Sequence, residues 1–129
     1  MKRSLHLTAE LLRLYSRRGN FHSDPDAAAD IGYQRLVAQG MQAAGPAYGL
    51  LLDEWGESLL ASGTVEFTFV GMVVDDETVD ADVTFDASDH SSNHSSGQSP
   101  DQATFTVTCG TRTAVVGTAT RDLPAAEHV

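Results

Sequence analysis

Residues 40–55 read GMQAAGPAYGLLLDEW, from Gly40 to Trp55, and this stretch decides the fold. It carries no charge before Asp53, and its apolar residues fall on nearly every face of a helix instead of one stripe. A helix of that kind must be covered on all sides, so a buried helix is predicted here. Pro46 and three glycines, Gly40, Gly45 and Gly49, are unusual in a helix interior. Proline has no N–H and its ring clashes with the carbonyl four residues back, and glycine adds a cost in backbone entropy. They predict either a kink near Pro46 with close packing against neighbours, or a helix that begins only at Pro46.

Downstream, the period changes from helical to alternating. Val65, Phe67 and Phe69 alternate with Glu66 and Thr68. Val79, Ala81, Val83 and Phe85 alternate with Asp80, Asp82, Thr84 and Asp86; Phe105, Val107 and Cys109 alternate with Thr104, Thr106 and Thr108. Val115, Gly117 and Ala119 close the series. A period of two with one wet face predicts antiparallel strands, with turns at Val74–Glu77 and Gly110–Thr111. Residues 87–102, rich in Ser, Asp and His without apolar period, read as a mobile polar loop. His90 and His94 stand at a helical metal-pair spacing, but their Ser, Asn and Gly neighbours do not favour a helix, so they read as loop residues.

Upstream, residues 4–7 suit a short strand. Thr8 is a candidate N-cap, with Leu7 and Leu12 placed as a hydrophobic staple, and a helix over Ala9–Arg18 follows that ends at Gly19. Asp24 and Pro25 start a second, short helix that ends at Gly32. His22 therefore falls in a tight connection held from both sides, a suitable place for a reactive group. The order is helix, helix, buried helix, antiparallel sheet. A sheet must cover its apolar face, and the buried helix is the obvious cover. That predicts a single α+β domain over 1–129 with the hotdog arrangement, an antiparallel sheet wrapped around a long central helix.

Composition narrows the function. The net charge is −10, with one lysine, Lys2. Nucleic acid needs a basic face and is excluded as the main partner, as is an anionic membrane surface. The single cysteine, Cys109, allows no intrachain disulfide, fits a reducing cytoplasm, and reads as inert core. The basic, then apolar start MKRSLHLTAELL is interrupted by His6, Thr8 and Glu10 and does not read as a signal peptide. No apolar run is long enough to span a bilayer. Asp75-Asp76-Glu77 lacks the ligand spacing of a calcium loop and reads as a turn.

Several motifs, in order, resemble those of the MaoC-like acyl dehydratases and (R)-specific enoyl-CoA hydratases. Arg17-Arg18-Gly19-Asn20-Phe21-His22-Ser23-Asp24-Pro25 is similar to the hydratase segment D-x-N-P-x-H-x-D-P, and Val37-Ala38-Gln39-Gly40-Met41 resembles I-A-H-G-M. Val65–Val70 with Val73–Val79 resembles a hairpin of that family, and Val116-Gly117-Thr118-Ala119 its closing V-x-x-G-x-A. The resemblance covers about residues 10–120. It implies reversible addition of water to an enoyl thioester of coenzyme A or an acyl carrier protein, no metal or other cofactor, and a homodimer. It implies His22 as the catalytic histidine and Gly40 as the backbone donor to the thioester oxygen, with Arg17, Asn20, Gln39 and Tyr48 as substrate-binding positions. The family's aspartate, five residues before the histidine, is Arg17 here, and the histidine before the helix glycine is Gln39. Three readings follow: His22 works alone or with Asp24; Arg17 or Arg18 binds a substrate carboxylate or phosphate; or the site binds a thioester without turning it over. A thioesterase is the further alternative on this fold.

Overall fold

The computed structural model describes residues 1–86 and 100–122. Five antiparallel strands form one sheet: β1 (Lys2–Leu7), β2 (Thr64–Phe69), β3 (Glu77–Asp86), β4 (Gln102–Cys109) and β5 (Arg112–Thr120). Their order across the sheet is β1-β3-β4-β5-β2. β3, β4 and β5 follow one another as neighbours, while β1 and β2 occupy opposite edges. The chain between β1 and β2 must therefore cross the sheet, and it does so as helices: α1 (Ala9–Tyr15), α2 (Pro25–Asp30), α3 (Gly40–Ala43), α4 (Gly45–Trp55) and α5 (Glu57–Ser62).

The α+β hotdog arrangement expected from the alternation is present. Val79, Ala81 and Val83 of β3 and Ala103, Phe105 and Val107 of β4 are buried on the face that meets α4, whose Ala47, Leu50, Leu51 and Trp55 are also buried. Leu51 is fully enclosed; burying one leucine contributes about 1.5–3 kcal/mol. The outer face keeps Asp80, Asp82 and Thr84 exposed. Gly117 is required by a close approach: it pairs with Phe105 and Phe67 on its two sides, and a Cβ there would run into the Phe105 ring.

The buried helix is broken, not continuous. α3 ends at Ala44, and α4 starts afresh with Pro46 in its first turn. Pro46 cannot donate to Gln42, so the break falls where the proline was expected to kink the chain. The glycine-led turn that follows Trp55 opens a short helix, α5, for which the sequence reading made no provision. α1 stops at Tyr15 instead of Arg18 because the Ser16 N–H caps back onto Leu12 O and Ser16 turns extended. β1 begins at Lys2, two residues earlier than expected, since its pairing with β3 runs from Lys2↔Asp82 to Leu7↔Glu77. The expected turn at Val74–Glu77 is centred on Asp75 and Asp76, and Asp76 takes a left-handed φ of 67°. His90, His94 and most of the 87–102 segment lie outside the described residues. No helix among those described is long and apolar enough to cross a membrane.

Candidate active site

His22 sits in the turn between α1 and α2, and its geometry is set locally. Asn20 Oδ1 accepts from the His22 N–H at 2.9 Å and lies 3.3 Å from Ser23 Oγ. Ser23 Oγ also donates to the Arg17 carbonyl at 2.6 Å. Asp24 caps α2 through Asp26 N–H at 2.9 Å, and Pro25 follows as the first helical residue. Both ends of the turn are thereby pinned. The Phe21 and His22 ring centroids are 3.9 Å apart.

The imidazole itself is anchored by Nδ1, 2.6 Å from the Val37 carbonyl oxygen. A carbonyl can only accept, so Nδ1 carries the hydrogen and Nε2 is the basic nitrogen of the neutral ring. Val37 is held in turn by a bridge to Val74 and by donation from its N–H to the Phe21 carbonyl. The histidine and its acceptor thus belong to one hydrogen-bonded corner.

His22 lines a cavity of about 450 Å³ together with Gln39, Gly40 and Met41 on one side and Phe69, Met72 and Val73 on another. Its volume lies in the range of small-molecule sites. Among the described residues, His22 and Gln39 are the only polar side chains on its lining, and no carboxylate reaches it. Gln39 Nε2 donates to Ser16 Oγ at 2.8 Å, where α1 ends, and Ser16 is buried. Gly40 begins α3, whose first amides have no intrahelical carbonyl to meet. An added Cβ at Gly40 would stand 2.6 Å from the Phe69 ring, so only glycine admits this approach.

The structure therefore gathers His22, Gln39 and Gly40, with Asn20 behind the histidine backbone. It does not gather Arg17 or Tyr48. Arg17 is exposed past the end of α1, and Tyr48 lies on α4, half-buried against the core and off the cavity lining. Arg18 borders a separate surface cleft with Arg13 and Glu10. Asp24 is occupied as a cap.

The opposite wall, residues 69–73, was not anticipated, because no local pattern sets it apart from a turn. Phe69 was expected to face the core with Val65 and Phe67; it is 49% exposed at the cavity and stacks on Phe67, with centroids 6.1 Å apart. This wall is strapped in place. Val70 and Gly71 N–H donate to Ala114 O, and Ala38 N–H donates to Val73 O. Arg112 Nη1 donates to Met72 O at 2.9 Å while Nη2 pairs with Glu77, whose other oxygen accepts from Val74 N–H at 2.9 Å. Burial opposes ionisation of Glu77, but the Val74 N–H and the Arg112 guanidinium together hold its carboxyl below the ordinary value. Burial, and then Glu77, push the neighbouring Cys109 thiol up, so this cysteine remains a thiol packed in the core.

No family model and no curated protein matches the chain. Solved structures do. An (R)-hydratase from A. caviae involved in PHA biosynthesis matches with a TM-score of 0.66 and 24% identity, over 96% of this chain and 93% of that one. The R-hydratase PhaJ1 from Pseudomonas aeruginosa matches at TM-score 0.71 and 12% identity, over 96% and 79%. The ChsH1–ChsH2 complex from Mycobacterium tuberculosis matches at 0.69 and 14%, over 96% and 94%. MaoC-like dehydratases from Phytophthora capsici and Rhodospirillum rubrum also superpose. The chain thus has the hotdog fold of the MaoC-like dehydratases and (R)-hydratases.

Proposed function

We propose that the chain is an acyl-thioester hydratase/dehydratase, with His22 as its proton-transferring residue and an enoyl thioester of coenzyme A or an acyl carrier protein as substrate. The observation that carries this reading is the Nδ1 bond to Val37, which leaves His22 Nε2 basic beside the cavity. Hydration needs a base for water and a donor for the oxygen on which charge builds. The Gly40 N–H at the start of α3 is the proposed donor to the thioester oxygen. Structural neighbours named as hydratases and dehydratases support the general reaction.

The proposed assembly is a homodimer. Met41, Phe69 and Met72 are exposed apolar side chains that line the cavity, Val70 next to Phe69 is exposed too, and Phe69 ends the edge strand β2. A second copy would cover them and close the cavity to water.

One observation favours a second reading. No carboxylate lines the cavity among the described residues, which suits a module that binds a thioester without turning it over. A panel of 2-enoyl-CoA thioesters separates the two, with loss of conjugated absorbance as the signal. The proposed enzyme hydrates at least one of them, and His22→Ala removes that activity. Binding without turnover across the panel supports the module, release of free thiol supports a thioesterase, and hydration untouched by His22→Ala sinks the role given to His22.

A further inference from the structure

Among the described residues, Gln39 is the one polar side chain that shares the cavity with His22, and its amide is hydrogen-bonded. Its Nε2 is committed to Ser16 Oγ, and Ser16 is itself buried and set by the Leu12 carbonyl at the end of α1. With Nε2 donating to Ser16 Oγ, Oε1 is the acceptor left over. An amide accepts a hydrogen bond as a carboxylate does, but it neither takes up nor releases a proton.

We infer that His22 is the sole proton carrier of this site, that Gln39 Oε1 holds the reacting water against it, and that Ser16 is the positioning residue that aligns Gln39. This rests on the hydration reading above. In the hydration direction, His22 Nε2 removes a proton from the water as its oxygen bonds to the β-carbon. The electrons of the double bond pass through the α-carbon to the thioester oxygen. When that enolate collapses, the α-carbon takes the proton from His22, which returns to neutral. One hydrogen and one hydroxyl have been added, and no second titrating group has taken part. Dehydration is the same path reversed.

Among the described residues, the surroundings of His22 contain no other candidate. From its own turn, Asp24 is spent on the Asp26 N–H, Arg13 donates to the Ser23 carbonyl and Arg17 is exposed. Among the described residues, α3, β2, β5 and the 70–73 wall bring only apolar side chains and glycines to the cavity.

The test is the pH profile of kcat/KM on an enoyl-CoA that the protein hydrates. One ionisation is expected, with a rising limb and a plateau. Gln39→Glu adds a second inflection, because the new carboxylate titrates where the amide does not. Ser16→Ala lowers kcat about tenfold with KM within twofold, and Ser16→Thr, which keeps the hydroxyl, recovers most of it. Two inflections in the unaltered protein, or a Gln39→Leu variant with undiminished kcat, overturn the inference while leaving the hydratase standing. No turnover on any 2-enoyl thioester overturns the hydratase reading itself, and the inference with it.

Discussion

His22 Nδ1 and the Val37 carbonyl oxygen lie 2.6 Å apart, across the junction between the α1–α2 turn and the segment that leads into α3. The contact fixes the tautomer of a histidine whose own pattern says nothing about which nitrogen is basic. It also ties the His22 side chain to the backbone from which Gln39 and Gly40 follow. His22 and the Gln39–Gly40 side of the cavity are therefore tied together by one bond.

Removing the imidazole tests this relationship first. His22→Ala is expected to lower kcat on an enoyl thioester by about 10²–10⁴-fold, the usual contribution of a positioned acid/base. Circular dichroism of the variant should match that of the parent, because His22 is only part-buried. Absorbance assays in parallel with the spectrum check both.

Gly40 tests the packing of the cavity. Gly40→Ala places a Cβ 2.6 Å from the Phe69 ring, and overpacking of this kind costs about 1–3 kcal/mol. Adding Phe69→Leu removes the clash, so the double variant should recover stability that the single one loses. Urea denaturation of the four-member cycle measures the coupling. A Gly40→Ala variant as stable as the parent would count against the close approach.

The Arg112–Glu77 pair tests the wall. Arg112→Met frees Met72 O and leaves Glu77 with Val74 N–H and the Cys109 thiol. Because both groups are partly exposed, the expected loss of melting temperature at pH 7 is small, roughly 2–4 °C. Its pH dependence has a definite sign. The folded-state pKa of Glu77 is depressed, so its contribution is present above the ordinary glutamate range and is lost as pH falls through the folded value. The difference between parent and variant should therefore shrink on acidification below that range. Thermal melts across the acid limb check it.

Leu51 tests the helix on which the fold depends. Leu51→Ala removes a fully enclosed side chain from the layer between α4 and the sheet. A loss of about 2–5 kcal/mol is expected, read from the midpoint of chemical unfolding.

Much of this molecule was legible residue by residue. The strands followed from alternation, because facing water on one side and core on the other is a local requirement of a half-buried strand. The caps at Thr8 and Asp24 followed from side chains that satisfy amides two or three residues away. Even the break in the buried helix was written in Pro46, whose missing N–H is a covalent fact. The short helix α5 was not legible, since Glu57–Ser62 is too brief for a period to declare itself.

Site residues divided along the same line. His22, Gln39 and Gly40 were found from motif order and do share one cavity. Arg17 came from the same motif, at the place of the family's aspartate, and Tyr48 from offset alone. The early end of α1 leaves Arg17 exposed, and Tyr48 falls on the helix that restarts after the proline break, packed against the core.

The sequence by itself determined most of the elements, because caps, turns and burial periods act over a few residues, and its motif order singled out His22 as a candidate. Only the tertiary structure decided that β1 and β2 lie at opposite edges, that Phe69 faces the cavity, and that Gln39 is hydrogen-bonded to Ser16, 23 positions away. Those are contacts between segments distant in the chain. They are chosen by which surfaces can be buried together, and no window of sequence contains both partners.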